Sequence, residues 1–316
     1  MPDSWDRVPI EPQSINAPLS RAAVFLALTV RPEAEAMQRA RGVVADIGRL
    51  VRTVGFRDLQ GRLSCNVGIG SRAWDRLGQP KKPAQLREFA EIRGPVHTAV
   101  ATPGDLLFHI RADRTDMCFE LERLVLGALG EAVTVVDEVQ GFRYFDARDL
   151  LGFVDGTENP TGESLPQSSL IQGDDPGFEA GSYVVVQKYL HKLADWQALP
   201  VSTQEAIIGR TKIDNIELGD SDRRKSHKTL TTIVDAAGVE HDILRDNMPF
   251  GRPGQSEFGT YFIGYAGNLW VIEQMLKNMF LGVPPGDYDR ILDFSTPVTG
   301  TTFFAPSNAM LTALGG

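Results

Sequence analysis

LLFHIRADRTDMCFELERLVLGALG (residues 106–130) and TYFIGYAGNLWVIEQMLKNMFLG (residues 260–282) carry the same pattern. Each is an apolar strand, a short polar break, an amphipathic helix and a closing glycine. In the first copy Met117, Cys118, Leu121, Leu124, Val125 and Ala128 recur at helical spacing, and Gly130 is placed to end the helix. In the second, Leu269, Ile272, Met275, Leu276, Met279 and Phe280 make the stripe, with Asn268 in the N-cap position.

The elements around each copy repeat as well. AAVFLALTV (Ala22–Val30) reads as a buried strand stopped by Arg31-Pro32, and an amphipathic helix follows over about residues 33–51. Strands are expected near 63–69 and 105–112, and AVTVVDEV supplies another after the helix. Downstream, GSYVVVQKYL (181–190) takes the role of the first strand, and residues 191–210 supply helical material. The reading is an α+β fold of two ferredoxin-like halves, each an antiparallel sheet with helices on one face. The halves are expected at 1–150 and 181–316. The Gly-, Pro- and Asp-rich connection between them is too long to be an ordinary loop, so it is functional or a linker.

The chain of 316 residues is 42% hydrophobic and 23% charged, as a globular protein should be, and its net charge of −9 argues against nucleic acid or an anionic membrane as partner. No secretory signal or membrane span is visible. Cys65 and Cys118 form neither CxxC nor CxxCH, which excludes a disulfide framework, a four-cysteine zinc site and covalent haem attachment. A reduced, cytoplasmic protein is expected.

Three segments carry chemistry. Gly152-Phe153-Val154-Asp155-Gly156 places an acid between glycines that permit a tight turn and close backbone approach, although Asp-Gly is also a common turn dipeptide. His227, in SDRRKSHKTL, stands apart from His97, His109, His191 and His241. It is a candidate metal ligand or an ordinary polar histidine, while His109 reads as a core residue and His191 and His241 as solvated ones. In HDILRDNMPFG, Arg245 and Asn247 are two residues apart, and in an extended segment they project from one face. A surface ion pair is the competing reading of Arg245.

GFVDGTENP, SHKTLTTIV and ILRDNMPFG, in that order, resemble the dye-decolourising peroxidase family, closest to its compact bacterial B-type group. GRTK (209–212) and FGTYFIGYA (258–266) look like further family segments, and the similarity runs from about Arg21 to Ser307. The resemblance implies one non-covalent haem b per chain, bound in the C-terminal half. It also implies reduction of hydrogen peroxide and oxidation of dyes or phenolics in one-electron steps through a ferryl intermediate. His227 would be the proximal ligand, with Asp287, Asp289 or Asp293 accepting its other ring N–H and Asp293 preferred. Asp155 would be the acid–base residue, Arg245 would stabilise developing charge, and Asn247 would orient peroxide. Gly156, Phe262, Met275 and Leu276 would wall the pocket, and Arg210 would meet a propionate. With an ordinary Asp pKa of about 3.9, activity at acid pH is expected. Electrons from bulky donors would pass through a surface tyrosine or one of Trp5, Trp74, Trp196 and Trp270. A homo-oligomer is expected, and no encapsulating shell, since the chain ends soon after the fold. The alternatives are a haem carrier or sensor without turnover, and a chlorite-dismutase-like or iron-releasing haem enzyme.

Overall fold

The computed structural model describes residues 12–220 and 224–315, so Trp5 lies outside it. The strand Ala22–Val30 has the bounds that its apolar run predicts. It is joined by Ser64–Gly70, Leu106–Ala112 and Val133–Phe142. These four lie antiparallel in the order second, third, first, fourth, the ferredoxin-like arrangement. Ser182–His191, the interrupted pair Leu244–Arg245 and Met248–Arg252, Glu257–Ala266 and Thr301–Ala305 repeat that order.

The two sheets are one. The last strand of the second half pairs with the second strand of the first, Phe303 opposite Gly70 and Phe304 opposite Ile69, giving a ten-stranded sheet. It curls until its far ends meet, where a β-carbon on Gly141 would lie 2.6 Å from that of Met248. Phe25, Val139, Val184, Ile263 and Phe303, drawn from both halves, share the interior core. Each such side chain contributes roughly 2 kcal/mol by leaving water. On the outer faces, helices Thr115–Leu129 and Leu269–Leu281 bury most of the stripes that their spacing predicts.

A buried polar contact also crosses between the halves. Arg111 donates from Nη1 to Asp246 Oδ2 at 2.7 Å, with both residues all but inaccessible. Removing either partner would leave an uncompensated buried charge. His109 is a core residue, stacked on Phe25 at 4.7 Å with its Nδ1 2.8 Å from the Tyr265 hydroxyl.

The helix expected over 33–51 is two helices, Ala34–Ala45 and Ile47–Gly55, parted at Asp46. Asp and the nearby Gly48 are poor helix-interior residues. Asn268 occupies the N-cap position, but its Oδ1 accepts from Gln85 Nε2 at 2.8 Å rather than from the helix backbone. Ala128 is exposed and Glu122 takes a buried place on that helix. Burial, reinforced by Glu138, pushes the Glu122 carboxyl up to about 7. Among the described residues no helix is long and apolar enough to cross a membrane.

Candidate active site

The connection between the halves is folded. Arg148 bridges Val154, and the Asp155 N–H donates to the Ala147 carbonyl at 2.9 Å, so residues 147–155 form a small hairpin. Gly152 (φ +94°) and Gly156 (φ +77°) occupy the left-handed region that glycine adopts without strain. Asn159, just past this turn, pins it to the opposite half of the site. Its Nδ2 donates to the Arg245 carbonyl at 2.7 Å, and its Oδ1 accepts the Arg245 N–H at 3.0 Å.

Asp155, Gly156, Arg245 and Asn247 face one cleft of about 1480 Å³, its open mouth included. His227, Arg210, Phe262, Met275 and Leu276 line the same cleft. All nine residues assigned to the pocket from sequence are thus brought together, and among the described residues the cleft's lining begins at Asp149. Asn247 bridges strand and site, its Oδ1 accepting the Ile263 N–H at 3.1 Å and its Nδ2 donating to Asp155 Oδ1 at 3.4 Å. Arg245 Nε is buried and has no hydrogen-bond partner among the described residues, a donor group left for a ligand to answer. Arg210 is already engaged by Glu158 and by both side chain and carbonyl of Asn215. Met248 and Pro249 line a smaller pocket behind Asp155 and Arg245, and Phe250 is interior core.

His227 opens a short helix, His227–Thr231, capped by the Ser226 side chain. Its Nδ1 lies 2.7 Å from Asp289 Oδ2, and Asp289 is wholly buried. This corrects the preference for Asp293. That carboxylate, 39% exposed, instead meets His97 Nε2 at 2.8 Å and the Tyr288 hydroxyl at 3.0 Å. The turn Arg290–Asp293 explains the difference. Asp289 caps it, accepting the Ile291 N–H at 3.1 Å, and so faces inward, whereas Asp293 ends it on the outside.

His191 was expected to be solvated but lines the cleft. Ser295 and Thr260 engage its two ring nitrogens at 2.8 and 2.9 Å, and burial pushes the imidazole down to about 4. It has no nitrogen left to offer. His241 also lines the cleft, with Nε2 3.0 Å from the partly exposed Asp235 and its ring against Trp270 at 4.9 Å. Trp74 and Trp196 are buried, which removes them as surface relays.

Asp149, Asn159 and Asp289 are the residues that the motifs did not single out firmly. Asp289 was one of three candidates, Asn159 stands inside GFVDGTENP, and Asp149 lies just before it.

Compared with known families, residues 12–143 match the N-terminal and residues 146–310 the C-terminal region of Dyp-type peroxidase. The chain belongs to the Dyp-type peroxidase family. As a Dyp-type peroxidase it is an oxidoreductase, in agreement with the resemblance of its motifs. A dye-decolorizing peroxidase of Mycolicibacterium paratuberculosis is 57% identical over 300 residues, 95% of this chain and 84% of that protein. Among solved structures, a variant of DypB from Rhodococcus jostii RHA1 in complex with heme is 55% identical, with a TM-score of 0.96 over 98% of this chain and 100% of that one. The encapsulated DyP-type peroxidase of Mycobacterium smegmatis is 52% identical, with a TM-score of 0.92 over 96% and 98%. That likeness runs against the expectation of no encapsulating shell, which is withdrawn.

Proposed function

We propose that this cleft binds one haem b non-covalently and reduces hydrogen peroxide at the expense of organic one-electron donors. The observation that carries the reading is His227, with Nδ1 held by the buried Asp289, on the wall of the cleft that Asp155 and Arg245 share. With Nδ1 engaged, Nε2 is the nitrogen left for a metal, and the carboxylate behind the ring raises its donor strength. The cleft suits a flat apolar macrocycle, since Phe262, Ile272, Met275, Leu276 and Met279 supply its hydrocarbon wall. Haem, once bound, would supply the redox-active iron at which the peroxide bond is broken.

The remaining work falls to the protein's own side chains. The Asp155 carboxylate takes the proton from one peroxide oxygen and returns it to the other, which leaves as water. The Arg245 guanidinium, with its Nε unpaired, stabilises the negative charge that develops as the O–O bond parts. Asn247 is oriented by the Ile263 N–H so that its amide donates to Asp155, and it steadies that carboxylate toward the peroxide. Arg210 would meet a propionate only by sharing its guanidinium with Glu158. Two buried, unpaired cysteines fit a reduced cytoplasmic setting. Exposed Phe56 and Phe119 offer apolar area for a homo-oligomer.

The test is titration of the purified protein with haem, followed by one equivalent of peroxide, beside His227→Ala and Asp155→Asn. Stoichiometric uptake with a Soret band altered in the His227 variant, and a peroxide reaction slowed about a hundredfold or more in the Asp155 variant, are expected. Failure to take up haem would sink the proposal, and uptake with no peroxide response would favour a haem carrier.

A further inference from the structure

The hairpin that presents Asp155 carries a second acid. Arg148 is bridged to Val154, so Ala147 stands opposite Asp155 and Asp149 opposite Phe153. Side chains alternate across a hairpin, which puts Asp149 and Asp155 diagonally on the same face. Both line the cleft. Asp149 also closes the hairpin's tip three times over. Its Oδ1 accepts the Phe153 N–H at 2.9 Å, its N–H donates to the Phe153 carbonyl at 2.9 Å, and its carbonyl accepts the Gly152 N–H at 3.1 Å. Phe153 is in turn buried against Trp196. Thus the side chain of Asp149 sets where the strand bearing Asp155 begins.

We propose that Asp149 is a positioning residue for Asp155, fixing the hairpin through the Phe153 amide and tuning proton transfer through its own charge state. This inference rests on the reading of Asp155 as the proton-transfer group.

Burial, with Asp155 adding to it, pushes the Asp149 carboxyl up to about 7. Asp149 is therefore neutral in acid and gains its charge near neutrality. The groups around it are Asp155 on its own hairpin, Arg148 beside it, and Lys212 from the neighbouring segment. Lys212 packs against the turn, since a β-carbon on Gly152 would lie 2.5 Å from Lys212 Cε, and its Nζ donates to Gln204 Oε1 at 2.6 Å. Arg148 spends its guanidinium on the carbonyls of Gly152, Lys212 and Ile213. Neither cation makes a hydrogen bond to Asp149 among the described residues. An anionic Asp149 would then oppose the negative charge that Arg245 is there to stabilise, and turnover should fall as it ionises.

The experiment compares haem-loaded wild type with Asp149→Asn, Asp149→Ala and Asp155→Asn, measuring kcat from acid to alkaline pH and hydrogen exchange at the Phe153 amide. Wild type is expected to lose activity with a midpoint about 7. Asn keeps the acceptor but not the charge, so that variant should stay within about twofold of wild type in acid and lack the alkaline fall. Ala should cost about tenfold in acid, lack the alkaline fall as Asn does, and expose the Phe153 amide to exchange. An Asn variant with an unchanged alkaline limb would overturn the proposal, as would an Ala variant with full activity and a protected amide. If Asp155→Asn itself turned over at the wild-type rate, the assignment of Asp155 would fail and take this inference with it.

Discussion

Asp289→Asn is the substitution that interrogates the haem side of the cleft most directly. Asp289 uses both carboxylate oxygens, Oδ1 for the Ile291 N–H at 3.1 Å and Oδ2 for His227 Nδ1 at 2.7 Å. Asparagine offers one oxygen and one NH2, so one of those two donors must face another donor. Either the turn loses its cap or His227 loses its acceptor. A hydrogen bond to a buried carboxylate contributes about 2 kcal/mol, which is roughly 30-fold in an equilibrium constant. That falls within the range of about 10–100-fold observed when such partners of metal-bound histidines are removed. Haem should therefore leave the Asn variant roughly 30-fold more readily, measured by transfer to an excess of apo-globin. The iron midpoint potential should rise, because less charge reaches it through the imidazole. Asp293→Asn is the control: its side chain meets His97 and Tyr288, away from His227, and the variant should stay within about twofold of wild type. Equal haem loss from the two variants, or none from Asp289→Asn, would refute the assignment.

Two further substitutions test other parts of the structure. Glu122 has a folded-state pKa raised to about 7 from an ordinary 4.5, so its contribution to stability is complete below about 4.5 and is lost as pH rises through about 7. Glu122→Gln removes that loss and should gain on wild type by roughly 3 kcal/mol between acid and alkaline pH in urea melts; a pH-independent difference would exclude the mechanism. Asn159→Ala deletes both hydrogen bonds to the Arg245 backbone and should lower kcat/KM for peroxide about tenfold with the organic donor's KM unchanged, as steady-state kinetics would report.

What could be read in advance was what burial writes into local spacing. The stripes of Leu121 and Val125 and of Ile272, Leu276 and Phe280 announce helices on a sheet because a helix that hides one face must repeat apolar residues at three- and four-residue intervals. Asp155, Arg245 and Asn247 were legible because short motifs hold them. The merging of the sheets was not, since the pairing of Phe303 with Gly70 joins distant segments and leaves no local trace. The choice between Asp289 and Asp293 hung on which end of one short turn faced inward, and spacing alone does not record that. Asp149 lies outside every motif in the sequence. Only the bridge between Arg148 and Val154 turns its side chain toward Asp155. His191 was misjudged because its two hydroxyl partners, Thr260 and Ser295, lie far along the chain.

The Arg111–Asp246 pair ties the core of the N-terminal half to the segment that faces the cleft. Asp246 sits between Arg245 and Asn247, and its carboxylate is gripped from the other half of the chain. A strand held in that way cannot twist or slide without breaking a buried ion pair. The first half thus works as a vice on the segment that carries Arg245 and Asn247. Damage far from the cleft, anywhere along the strand that carries Arg111, would register as an enzyme that keeps its haem and fumbles its peroxide.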